Sequence, residues 1–320
     1  LLGALAFKQS QEAKKSEIPT LRVYASSSFI AQWGPGPWLK QAFEKNCNCH
    51  VEYFDGADST LLLQRLKSDV DGGVDVALSF DQFDLEHAEN ITEWKHIDIP
   101  INNFVDRVKE KAKESELVPY EWGVMAFVAR NSEIKELPKS VDDFLRPEWK
   151  SQVVIEDPRT SSPGAQFLFW LIALKGEDAA FDFLKKLNNQ VHSYPPNWSS
   201  AYGLFQKGQV KSVFSYVTSP IYHKVEEKNN DYVALEFTDG HPMQIEYLGI
   251  PEKCRQCDLA NQFVNFIFTK EGQKIIMEKN YMFPVLKGVK EGTLFAQIPE
   301  YKTIEIPLPK LAERERLLKK

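Results

Sequence analysis

Apolar positions along the chain fall into two alternating rhythms. Short runs rich in β-branched and aromatic residues occur at Leu21–Tyr24, Val51–Phe54, Val74–Phe80, Val124–Ala129, Gln152–Glu156, Ser212–Val217, Tyr232–Phe237 and Gln244–Ile250. Their length and composition predict strands. Between most of them apolar residues recur every three to four positions, the period of a helix packed on one face. Strand and helix therefore alternate, which predicts an α/β fold of mostly parallel sheets flanked by helices.

Four helices announce their starts. Gly36-Pro37 precedes Trp38–Phe43, Asp58-Ser59 precedes Thr60–Leu66, Ser162-Pro163 precedes Ala165–Leu174, and Ser219-Pro220 precedes Ile221–Glu227. A small or hydroxyl-bearing cap with Pro in the first turn is a strong start signal. Each start follows a strand closely, which places it at the carboxyl end of a sheet, where open α/β folds bind ligands and where several N-termini together would favour an anion.

No internal repeat interrupts the pattern. Val118-Pro119 and Gln244–Ile250 are extended segments suited to cross between two units. This divides the chain into an N-terminal segment over 1–20, a discontinuous first lobe from 21–118 plus 247–320, and a second lobe over 119–246 with a cleft between them. Such an arrangement suits a binder that closes about a hinge.

The composition fits a globular chain. Of 320 residues 43% are apolar and 26% charged, enough to bury two cores. The 39 Lys and Arg are interspersed with 45 Asp and Glu for a net charge of −6. Nothing resembles a basic face, so nucleic acid is set aside as a partner. No internal apolar stretch reaches the roughly 18 residues that cross a bilayer. At the N-terminus, Leu1–Ala6 reads as the end of a hydrophobic signal core, Ala4-Leu5-Ala6 fits an A-x-A cleavage pattern, and Phe7–Thr20 reads as an extended arm, so export is expected with a membrane tether left open. The four cysteines form two close pairs, Cys47/Cys49 and Cys254/Cys257. An oxidising compartment favours disulfides, with a zinc site or free thiols as alternatives.

Catalytic signatures are sparse. The chain has no G-x-S-x-G elbow, Walker loop or H-E-x-x-H, and the Gly34-Pro35-Gly36-Pro37 run lacks dinucleotide-loop spacing. His223 lies close to Ser219 in sequence, but such a histidine is more often a surface or capping residue. No catalytic residue, cofactor or metal is assigned. The aromatics suggest more: Tyr194, Trp198 and Tyr202 cluster with Pro195-Pro196, and Tyr216 and Tyr222 flank the helix start at Ser219-Pro220. Aromatic faces on loops beside helix starts suit a cation held by ring quadrupoles.

Several longer strings carry a resemblance. Trp33-Gly34-Pro35-Gly36-Pro37, Cys47-Asn48-Cys49, Asp157 to Gly164 (D-P-R-T-S-S-P-G), Ala201 to Phe205 and Ser215 to His223 (S-Y-V-T-S-P-I-Y-H) occur in that order. With them the chain, from about Leu21 to Leu311, resembles the periplasmic thiamine-binding proteins of bacterial ABC transporters. The resemblance implies a two-lobed periplasmic-binding-protein fold and a receptor that closes over thiamine, its monophosphate or its pyrophosphate. It further implies a periplasmic monomer that delivers its cargo to the transporter's permease and has no chemistry of its own.

Carried over residue by residue, the resemblance places Asp58 opposite a cationic ligand, and Ser161 and Ser162 against it from a helix start. Trp198 and Tyr222 supply ring faces, while Tyr216, Val217, Thr218, Ser219 and Pro220 line the second lobe. The chain also departs from the family: Ser26-Ser27 stands where a Tyr-Asp pair is usual, Tyr281 replaces a Trp and Ser59 a Gly. Two readings stand beside this one. The same scaffold could carry another small anion, a phosphorylated metabolite, or ferric iron on the phenolates of Tyr216 and Tyr222. A thiamine-processing enzyme of the same fold would need a nucleophile such as Cys47 or Cys49.

Overall fold

The computed structural model describes residues 18–69 and 72–320. The expected signal remnant and most of the arm fall outside these residues. The chain forms a two-lobed α/β fold with strands β1 (Thr20–Ala25), β2 (His50–Asp55), β3 (Val76–Asp81), β4 (Val118–Arg130), β5 (Val153–Val154), β6 (Val191–Ser193), β7 (Ser212–Tyr216), β8 (Tyr232–Ala234), β9 (Met243–Gly249) and β10 (Phe283–Pro284). The main path runs β2-β1-β3-β9-β4-β7-β5-β6, with β8 and β10 also pairing with β4.

The outer strands pair in parallel as the alternating pattern predicts: β2 and β3 on β1, and β6 and β7 on β5. The antiparallel pairs all involve the two longest strands, β4 and β9. β4 is thirteen residues long and buried throughout. Its first half pairs with β9 and β10, and its second half with β7 and β8. A strand that serves two sheets has no solvent-facing side, hence its near-continuous apolar run.

Two main cores flank this crossing. One gathers Val23, Val51, Leu62, Val76, Phe263 and Ile276, and the other Phe127, Phe144, Phe167, Trp170, Phe214 and Phe237. The helix Ser162–Lys175 is buried continuously from Ser162 to Leu171, which explains a sequence apolar on every side. Gly164 begins it because a Cβ there would stand 2.5 Å from the Glu156 carbonyl oxygen. Gly34 answers the same need, since its Cβ would meet the Ser28 carbonyl oxygen at 2.2 Å. Both motif glycines are thus set by close backbone approach.

All four expected helices form, as Pro35–Cys47, Ser59–Ser68, Ser162–Lys175 and Ser219–Glu226. The two short strands β6 and β10 were not anticipated. Cys47 is bonded to Cys49 and Cys254 to Cys257. The zinc alternative is therefore corrected: the four thiolates it needed are consumed in disulfides, and no metal-holding group of His, Cys, Asp or Glu occurs among the described residues. No helix among those residues is long and apolar enough to cross a membrane.

Candidate functional site

A cavity of about 230 Å³ opens where the two lobes meet. Its walls are aromatic. Trp198 stacks on Tyr202 with centroids 4.7 Å apart, and Trp33 approaches Trp198 from the other lobe at 6.0 Å. Across the cavity Tyr222 meets Tyr281 edge-on at 5.5 Å. Trp33 is 49% exposed, which marks the mouth.

Local structure aims these rings. Trp198 begins the helix Trp198–Gln206, capped by the Asn197 side chain accepting from the Ser200 N–H. Its indole N–H donates to Ser215 Oγ at 2.9 Å, and Ser215 Oγ in turn lies 2.9 Å from Ser219 Oγ. Ser219 Oγ also accepts from the Tyr216 N–H. Tyr281 ends the helix Lys270–Asn280 in a left-handed backbone with φ of 54°, which turns Asn280, Tyr281 and Met282 onto the cavity wall. That conformation is uncommon for a bulky residue and is held here by the helix end behind it.

The polar groups divide into two sets. Behind the cavity, Asp58 Oδ1 accepts from the Ser59 N–H at 2.8 Å and from the Ser162 N–H at 3.3 Å. One carboxylate thereby receives the N-termini of a helix from each lobe, and Ser59 Oγ lies 2.7 Å from Ser162 Oγ beside it. Loss of water raises the Asp58 carboxyl to about 6, against the lowering effect of these donors and of Ser161. Ser59, Ser161 and Ser162 are all buried. At the cavity floor, Glu246 stands beside Tyr216, whose hydroxyl donates to Gln244 Oε1 at 2.5 Å. Burial first, and then Glu246 and neighbouring acids, push the Tyr216 phenol up and keep it neutral. No Lys, Arg or His lines the cavity among the described residues.

Of the residues expected to meet a ligand, Trp198, Tyr216, Ser219, Tyr222 and Tyr281 line the cavity. Asp58, Ser59 and Ser162 lie outside the cavity lining and are joined by hydrogen bonds, with Ser161 buried beside them at the start of the helix Ser162–Lys175. Val217 and Thr218, both buried, form the turn from β7 into Ser219–Glu226, and Pro220 sits in the first turn of that helix. Ser26 caps the short helix Ser27–Ile30, and Ser27 Oγ donates to Asp55 Oδ1, so it is their neighbour Ser28 that reaches the cavity. Sequence reasoning missed Trp33, Glu246 and Asn280 as wall residues, whereas Tyr202, grouped there with Trp198, does line the wall. The legible signal for Glu246 was an acid inside the apolar run Gln244–Ile250.

His223 does not meet Ser219. It is buried, with Nδ1 2.7 Å from Glu227 Oε2 and Nε2 2.9 Å from the Tyr202 hydroxyl. Burial lowers its pKa, so a neutral ring donates to the carboxylate and accepts from the phenol. Cys47 and Cys49 are bonded to each other, so neither is the free thiol suggested as a candidate nucleophile.

Comparison with known proteins gives this geometry its family. Residues 75–307 match the model for "Bacterial extracellular solute-binding protein". The chain belongs to this family. A "Thiamine-binding periplasmic protein" of Salmonella typhimurium is 37% identical over 268 residues, 83% of this chain and 81% of the relative. One of the same name from Brucella melitensis is 35% identical and covers 93% of this chain and 89% of its own length. The solved structure of a "Periplasmic thiamin binding protein" superposes with a TM-score of 0.84 at 31% identity, covering 94% of this chain and 95% of that one. This bacterial extracellular solute-binding protein shares the periplasmic location of those relatives.

Proposed function

We propose that the protein captures thiamine, its monophosphate or its pyrophosphate in the interlobe cavity, closes over it as a monomer, and hands it to a permease without altering it. The observation that carries this reading is a cavity walled by Trp33, Trp198, Tyr202, Tyr216, Tyr222 and Tyr281 that contains a carboxyl and no basic side chain. Stacked rings answer a flat pyrimidine, and ring faces with a carboxyl answer a thiazolium cation. The names of the relatives support the same cargo.

The division at 118/119 and 246/247 belongs to this proposal, with β4 and β9 as the hinge strands. The ferric reading is disfavoured by Tyr216, because a phenol kept protonated by burial and by surrounding acids is a poor source of phenolate. Calorimetric titration with thiamine and both phosphates tests the proposal. Binding of one of the three at micromolar or tighter affinity is expected, and none tighter than about millimolar would refute it.

A further inference from the structure

Beside Glu246 lies a second carboxyl, Glu121, that does not itself line the cavity. In the β4–β9 pair Pro119 lies opposite Tyr247 and Glu121 opposite Glu246, so one residue of β4, Tyr120, is extra at this step. A bulge of this kind turns consecutive side chains toward the same partner. Accordingly the Tyr120 hydroxyl donates to Glu246 Oε2 at 2.7 Å, and the Glu121 carboxyl faces Glu246 across the strands. Glu121 is 0% exposed. Its Oε1 accepts from Asn280 Nδ2 at 2.7 Å, while its Oε2 is buried with no protein N–H or O–H to accept from.

Two carboxyls so placed cannot both ionise cheaply unless a cation joins them. No Lys, Arg or His among the described residues acts on either group. The groups that face the pair are Tyr120 on β4, Asn280 at the end of the helix Lys270–Asn280, and Tyr216 on β7, whose hydroxyl is held by Gln244 of β9. All are neutral, and Asp58 adds negative potential at Glu246. A proton between the carboxyls gives the orphaned Glu121 oxygen its partner. Burial raises both groups, and for Glu246 the facing Glu121 adds to the shift.

We propose that Glu246 and Glu121 form a proton-sharing pair that is the cation subsite of the cavity, and that a cationic ring entering beside Glu246 expels a proton from the pair to solvent. This rests on the thiamine reading and deepens it. Asp58, committed to two helix N-termini, serves closure, and the counter-charge to the ligand comes from the strands between the lobes. Charge balances at each step: the pair gives up H⁺ and receives one fixed positive charge.

The test is calorimetry of the intact protein with thiamine from about pH 5 to 8, in two buffers of different ionisation enthalpy. Its counterpart is deazathiamine, in which a neutral thiophene replaces the thiazolium and the pyrimidine is unchanged. Expected for thiamine is release of up to one proton, with affinity rising by up to about tenfold per pH unit until the pair is already ionised. Deazathiamine should bind without that release. Glu246→Gln should abolish the release and weaken thiamine by about tenfold or more at pH 8 while sparing deazathiamine. Glu121→Gln should move the pH profile downward, since the like-charged neighbour is gone. Thiamine binding with no proton release, or the same release with deazathiamine, overturns this inference alone. Failure of thiamine to bind at any pH overturns the receptor reading and this inference with it.

Discussion

Trp198 gives the sharpest test of whether the aromatic wall binds or merely packs. Its ring lies between Trp33 and Tyr202, with centroid separations of 6.0 and 4.7 Å, and its indole N–H donates to Ser215 Oγ. If a desolvated cation sits over this ring, truncation removes about 2 kcal/mol, which is about 30-fold in Kd. Trp198→Phe separates the parts of that loss. It keeps a ring face but leaves Ser215 Oγ with Ser219 alone, a change of about 1 kcal/mol. The assay is thiamine titration of wild type, Trp198→Phe and Trp198→Ala, each checked for folding by thermal melting. The expected order is wild type, then Phe, then Ala. A folded Trp198→Ala with unchanged affinity would refute the reasoning and assign the ring to packing against Tyr202.

Two predictions concern stability. Asp58 is an acid whose pKa is raised on folding from 3.8 to about 6. Its contribution is therefore most favourable below pH 3.8 and is lost as pH rises through about 6. Asp58→Asn keeps an acceptor for the Ser59 N–H and removes the buried charge, so urea unfolding should show a flatter pH profile over that window and a variant at least as stable as wild type at pH 8. An unchanged slope would place the origin elsewhere. Arg314, in the C-terminal helix Leu311–Lys319, donates to Asp84 Oδ1 at 3.0 Å with both side chains buried. Arg314→Met strands that carboxylate and should cost about 3–5 kcal/mol by chemical denaturation, with much of the loss recovered by adding Asp84→Asn. No recovery in the double variant would show that Arg314 acts through packing.

The fold was largely legible because its elements carry strong local signals. Helix starts with Pro in the first turn and strands of β-branched residues form where the pattern put them. The short strands β6 and β10 carry too few residues for any period to register. The site was legible only in part. Rings on loops after strands, such as Trp198, Tyr216 and Tyr222, announced themselves by their neighbours. Trp33 and Trp198 lie far apart in the chain, and nothing local ties them together. Asp58 illustrates the opposite limit: a helix cap in the sequence proves to cap a second helix from the other lobe, which only the tertiary arrangement creates.

The placement of the acids suggests why closure would wait for cargo. β4 and β9 are apolar enough to bury both faces, yet they carry Glu121 and Glu246 at the point where they pair. Apolar residues of similar size would stabilise the same sheet better, since an unpaired buried carboxyl costs several kcal/mol. In the proposed closed form these acids have no Lys, Arg or His partner among the described residues, and its stability falls as they ionise. A ligand shifts a two-state equilibrium only through contacts made better in one state. A cationic ring does this at the cavity floor, where it offsets a penalty that exists only once water has left. Bringing the lobes together on an empty cavity would then be least favourable at the pH where the pair most readily gives up its proton. Under that condition a cation in the cavity has most to offset, so the ligand's preference for the closed lobes is greatest there.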